Sequence, residues 1–185
     1  ESKCRNSWIL NIDADERIPD DLRLELVNLF NSQPKHNIYK IHICDVFAHE
    51  SKPAPWAFGY WQYRLYNINF GRFSDSTVHD TVRPIEAAKT QKLSAKMHHH
   101  SVRSVEWMIA KCNRYSDMQA ADIISKNRDI SVFRLVSEFP ISFLKAYLLR
   151  RWCLYGVWGV IISYNFAFCR FLRLAKVFEA RLKAK

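Results

Sequence analysis

Asp13 and Asp15 stand one residue apart, with Glu16 directly behind, where the apolar start of WILNIDADERIPDDL (Trp8–Leu22) gives way to acids. Carboxylates crowded in this way repel one another unless a cation shares the site. Hard oxygen donors suit magnesium or manganese, commonly with a phosphate completing the shell. A calcium loop matches poorly, because the expected glycine and later bidentate glutamate are absent. Acids ahead of a helix also serve in capping and solvation, so the spacing alone leaves both readings open.

Four further groups have chemistry of their own. Asp80, beside His79 in STVHDTVRP, is a candidate general base or an ordinary turn aspartate. His99, within the run His98–His100, could face a diphosphate, ligate a metal or be structural. The Arg64 guanidinium fork fits phosphate, or caps a sheet surface. Lys111 and Arg114, three apart on a helical face, could meet an anionic acceptor or only solvent.

The elements that position these groups follow from periodicity. Trp8, Ile9, Leu10 and Ile12 predict a buried strand running into the acidic loop, at the sheet edge where α/β proteins bind ligands. Pro19 and the acids after it start a helix from about Pro19 to Asn31, with Leu22, Leu26, Leu29 and Phe30 at helical spacing. Tyr39, Ile41 and Ile43 alternate with Lys40 and His42 as a strand. A turn-rich loop, KPAPWAFG, follows, then short strands from Trp61 and Ser76 separated by a turn at Gly71, and one more strand within Lys92–His99. From Ser104 to Lys126 the spacing of Val105, Met108, Cys112 and Tyr115 predicts a helix. A second helix follows Ser131, and Pro140 is expected to start or restart another.

With 185 residues, 49% hydrophobic content and four glycines, the chain has enough apolar mass for one cored domain with an appendage. Five scattered cysteines without a C-x-x-C favour neither a zinc site nor a disulfide framework, and so a reducing compartment. The net charge of +10 points to an anionic partner. Most of it lies in the tail, where Ile141–Lys185 holds nine Lys/Arg against the single acid Glu179.

Within that tail, WCLYGVWGVIISYNFAFC (Trp152–Cys169) is uncharged and flanked by Arg150, Arg151, Arg170 and Arg173. Trp and Tyr with flanking Arg suit a helix lying in the headgroup layer, a single span and a core helix being the alternatives. The run is too apolar for a solvated nucleic-acid face, so no nucleic acid is expected.

In order along the chain, these segments resemble the family-two inverting glycosyltransferases of GT-A fold, in particular the bacterial branch that adds glucose to the lipopolysaccharide inner core. WILNIDADERIPDDL resembles the strand ending in that family's D-x-D motif, YWQYRLYN from Tyr60 its aromatic-Arg-Leu segment, and STVHDTV its V-H-E motif, with Asp80 in place of Glu. HHSVRSVEWMIAKCNRYSDMQA from His99 is similar to its H-x-S-x-x-S…K-x-x-R-Y helix, and Phe143, Tyr147, Gly156 and Gly159 match its tail. Nothing here corresponds to the family's opening strands, which read the nucleotide base, so an N-terminal portion is expected to be missing.

The resemblance implies an α/β fold: the C-terminal part of a GT-A, Rossmann-like domain over residues 1–100, then a helical, amphipathic extension over 101–185, membrane-associating from about 141. It implies Asp15 on Mg²⁺ or Mn²⁺ at the diphosphate of a UDP-sugar, and Asp13 nearer the ribose or the metal. Asp80 becomes the base facing the acceptor, and Arg64 and His99 contact the donor. The expected partners are a nucleotide-sugar donor, a lipid-linked glycan acceptor and an anionic membrane surface, at the cytoplasmic face of a bacterial inner membrane. A truncated, non-catalytic membrane-surface module and a basic nucleic-acid-binding protein are the rival readings.

Overall fold

The computed structural model describes residues 1, 3–47, 50–73, 81–100 and 102–183. The chain divides into two compact units, Glu1–Pro55 with Gly59–Ser101, and Trp56–Phe58 with Val102–Lys185.

The first unit is built on a five-stranded sheet. Its strands are β1 (Trp8–Leu10), β2 (Glu16–Arg17), β3 (Ile38–Asp45), β4 (Gly59–Asn67) and β7 (Thr90–His99), in the spatial order β1-β4-β3-β7-β2. β3 and β7 are parallel, while β4 runs antiparallel to both β1 and β3. Consequently β1, β3 and β7 point the same way, and their C-terminal ends share one edge. β5 (Gly71–Phe73) and β6 (Val82–Pro84) form a separate two-stranded ribbon, so Gly71 opens a strand instead of making the expected turn.

One helix, α1 (Asp20–Asn31), covers one sheet face. Leu22, fully buried, packs with Tyr39, Ile41, Ile43, Leu65, Leu93 and Met97, and Leu26 and Leu29 join it. These are the alternate positions of β3 and the i, i+4, i+7 positions of α1, so strand and helix periods meet in one core. The Glu25 carboxylate accepts the Ser94 and Ala95 N–H groups at 2.8 Å each, where β7 bulges against β3. On the opposite face His42 stacks on Trp61, and Lys92 and Lys40 lie over Trp61 and Tyr63.

The second unit is helical: α2 (Val105–Ser125), α3 (Val132–Leu144), a π-turn over Lys145–Leu149, a 3₁₀ turn over Trp152–Tyr155, and α4 (Gly156–Lys183). Ser104 and Ser131 cap α2 and α3, accepting from Trp107 N–H and Arg134 N–H at 3.1 and 3.2 Å. Leu174 and Val177 of α4 are buried with Ala120 of α2 and Ile130. Pro140 lies inside α3 and restarts nothing. The bond it cannot make would go to the carbonyl of Val136, an exposed residue, where its loss is tolerated.

The expectation that no cysteines pair is corrected for one couple. Cys112 of α2 and Cys169 of α4 are joined as a disulfide, with Cα atoms 5.3 Å apart. Their separation of 57 residues hides the pair in the sequence, and only the packing of α2 on α4 brings them together. The tail glycines are structural: Gly156 takes φ +56°, and a Cβ on Gly159 would lie 1.7 Å from the Trp152 carbonyl oxygen.

Candidate metal and catalytic site

β1 and β2 occupy opposite edges of the sheet, yet only five residues connect them. The Asp13–Asp15 segment therefore crosses the sheet beyond the C-terminal ends of β3 and β7. That is the end where open α/β sheets bind ligands. Asn11 N–H donates to the Arg64 carbonyl at 2.8 Å, and at the other end His100 N–H donates to the Asp15 carbonyl at 2.7 Å. Pairing of Glu16 with His99 and of Arg17 with His98 completes the anchorage.

A buried ion pair holds the crossing from below. The Glu16 side chain is 0% exposed and that of Arg64 3%, and Arg64 Nη2 donates to Glu16 Oε1. The same nitrogen donates to Asp13 Oδ2 at 2.6 Å, and Asp13 N–H donates to Glu16 Oε2 at 3.0 Å. Arg64 is aimed there by a bulge. Leu65 pairs with Tyr39 and Tyr63 with Lys40, leaving Arg64 as the extra residue of β4. Glu16 is thus neither solvated nor capping, and Arg64 lies beneath the loop, not on the sheet surface.

At the other end of the crossing, His99 sits between two carboxylates. Its Nδ1 is 2.9 Å from Asp45 Oδ1 and its Nε2 is 3.5 Å from Asp15 Oδ1. All three side chains are largely buried. Burial opposes the imidazolium, but Asp45, Asp15 and Glu16 together outweigh it, and the His99 pKa is raised. Nearby, burial first and then the charges of Asp45, Glu16 and Asp13 push the Tyr60 phenol up to about 12, so it stays a donor.

The structure therefore brings together Asp13, Asp15, Arg64 and His99. Asp80 and His79 lie outside the described residues. Asp45 was missed by sequence reasoning. Its only signal is an acid at the end of a strand, and its role depends on the parallel register that pairs it with His99.

Among the described residues, no three His, Cys, Asp or Glu side chains are gathered into a metal cage. The donor chemistry still fits magnesium or manganese, which are held by one or two carboxylates while phosphate oxygens and water complete the octahedron. Asp15 lies largely buried beside His99. Asp13 already has one oxygen on Arg64, although its side chain remains 55% exposed.

The sequence has close relatives over its whole length. It is 38% identical to an uncharacterized glycosyltransferase of Rickettsia conorii, the match covering all of this chain and 69% of that protein. A Rickettsia felis protein of the same description is 39% identical with the same coverage. The chain belongs to the glycosyltransferases.

A more distant relative of this glycosyltransferase is the lipopolysaccharide core biosynthesis glycosyltransferase LpsC of Rhizobium meliloti, 25% identical over 99% of this chain and 68% of LpsC. No family model and no solved structure matches the chain. The mixed parallel and antiparallel sheet with its helical extension is the α/β class predicted from the sequence, and it suits a Rossmann-like glycosyltransferase domain.

Proposed function

We propose that this glycosyltransferase moves a sugar, glucose by the resemblance, from a UDP-sugar to a lipid-linked cell-envelope glycan such as lipopolysaccharide core, with inversion and with Mg²⁺ or Mn²⁺. The observation that carries the reading is the acidic segment laid across the C-terminal strand ends and pinned by the buried Glu16–Arg64 pair. The LpsC name favours the lipopolysaccharide acceptor.

Asp15, with Asp13 beside it, would hold the divalent ion, which when bound supplies charge neutralisation to the leaving diphosphate. Arg64 acts through Asp13 and Glu16 as the positioning residue of the loop, a role that replaces direct phosphate contact. His99, held by Asp45, orients Asp15 and adds positive charge toward the diphosphate. Asp80 takes the proton of the acceptor hydroxyl as its oxygen bonds the anomeric carbon and the carbon–phosphate-oxygen bond breaks on the opposite face. The nucleoside diphosphate carries away the bonding pair.

The apolar, basic tail from about Ile141 would keep the enzyme peripheral at the cytoplasmic face of a bacterial inner membrane, near its acceptor. Calorimetric titration of the chain with its expected N-terminal portion restored, with UDP-glucose as ligand, tests the site. Binding should require Mn²⁺ or Mg²⁺ and be abolished by Asp15→Asn with the fold intact. Affinity indifferent to EDTA and to that change would remove Asp15 from the clamp.

A further inference from the structure

In a helix of a water-soluble unit the apolar stripe faces the core. α3 carries apolar side chains on both sides: Leu135, Phe139 and Phe143 pack against the rest of the helical unit, and its outward side is apolar as well. Val132, Phe133, Val136, Ile141 and Leu144 are all exposed, Phe133 by 80%, whereas Ser142 and the Glu138 side chain turn inward. Glu138 is engaged there by Arg170 at 3.1 Å and Arg173 at 3.0 Å.

The first half of α4 likewise has an apolar outward side. Val157, Val160, Tyr164 and Phe168, at helical spacing, are exposed, while Gly159, Ile162, Ser163 and Ala167 are buried. The two helices are antiparallel neighbours: Glu138 meets Arg170 and Arg173 near one end, and the Phe143 and Tyr164 rings meet at 4.9 Å further along. The turn between them continues the apolar surface through Leu148, Leu149 and Leu154, with Leu149 74% exposed.

Length limits how this surface meets a membrane. By length and composition alone, the helical stretch Trp152–Lys183 is long and apolar enough to cross one. However, helix α4 starts only at Gly156, where the backbone takes φ +56°, and the first charge is Arg170. Its uncharged helical part is therefore about 21 Å long at 1.5 Å per residue. A bilayer core is about 30 Å thick.

Charge limits what can cover it. Over residues 132–183 nine Lys/Arg face Glu138 and Glu179, and Lys176 and Arg181 are paired in addition with Asp117 and Asp129, which leaves an excess of five positive charges. A second copy would bring equal positive charge against this rim, whereas an anionic lipid surface would neutralise it.

We propose that the outward face of α3, the Leu148–Leu154 turn and the first half of α4 form one monotopic hairpin that inserts into a single leaflet of an anionic bilayer. This deepens the membrane reading above and rests on it. It moves the entry point forward from Ile141 to Val132 and makes Phe133 the leading side chain.

Flotation with vesicles of phosphatidylglycerol in phosphatidylethanolamine tests it on the whole chain. The unaltered protein should float and be stripped by alkaline carbonate. Phe133→Asp and Val136→Asp should each lower vesicle partitioning about tenfold or more, the worth of one buried apolar side chain. Phe133→Leu should keep it, and none should move the melting temperature, because these side chains touch little of the protein. If the Asp variants float as well as the parent, α3 does not insert and the tail-only membrane reading survives. If the parent itself does not float, both fall. A carbonate-resistant parent would make α4 a span and overturn the single-leaflet hairpin. So would a stable dimer without vesicle binding that Phe133→Asp dissolves, or unfolding of Phe133→Asp.

Discussion

Replacing Arg64 by Met is the perturbation the site is most sensitive to. The side chain sits 3% exposed beneath the acidic segment, and its Nη2 serves both Glu16 and Asp13. Met keeps the apolar stem but removes the charge, leaving Glu16, 0% exposed, with the Asp13 N–H as its remaining donor. Breaking a buried pair from one side costs about 3–5 kcal/mol. The Asp13 arm is half exposed and adds at most about 1 kcal/mol. Arg64→Met should therefore destabilise the protein by about 3 kcal/mol or more. Glu16→Gln with Arg64→Met should recover much of this, because a neutral amide still accepts the Asp13 N–H without a stranded charge. Urea unfolding followed by circular dichroism gives the four corners of the cycle, with an expected coupling of about 2 kcal/mol. A single-mutant cost below about 1 kcal/mol, or simple additivity, would show that the pair does not hold the loop.

Two other perturbations test separate parts of the account. Asp80→Asn should lower turnover about 100-fold or more while leaving donor affinity nearly unchanged, as steady-state kinetics beside a binding titration would show; parallel loss of affinity would move Asp80 to the nucleotide side. The His42 pKa is lowered by burial, with Lys96 and Lys92 adding to it, so His42 contributes stability that is complete above about pH 6.5 and is lost as pH falls through its folded pKa. His42→Phe keeps a ring on Trp61 and should make that acid limb shallower in thermal melts, with a remainder from His98 and His100, whose pKa values burial also lowers. An unchanged slope would show that His42 does not contribute.

The acidic crossing was legible because its signals are local: an apolar run, carboxylates one apart, then Pro19 and a helix. α1, β3, β4, β7 and α2 follow equally local periodicities. Contacts set by register or by long-range packing were not legible. The two-residue β2 has no pattern of its own and exists through pairing with β7. Asp45 reaches His99 only because β3 and β7 run parallel in that register, and Arg64 turns inward only through a one-residue bulge. Pro140 read as a break because a sequence does not reveal that the carbonyl it deprives belongs to an exposed residue. In the uncharged Trp152–Cys169 run, composition resembles a minimal span, but the break at Gly156 shortens its helix.

The central claim is metal-dependent sugar transfer through the acidic crossing. Its most direct test is the transfer of labelled glucose from UDP-glucose to a lipid-linked core glycan by the purified protein with its expected N-terminal portion restored, with the new linkage read by NMR. The account predicts a β-linked product that requires Mn²⁺ or Mg²⁺ and disappears in Asp15→Asn. An α-linked product, or transfer that persists in EDTA and in Asp15→Asn, would contradict it.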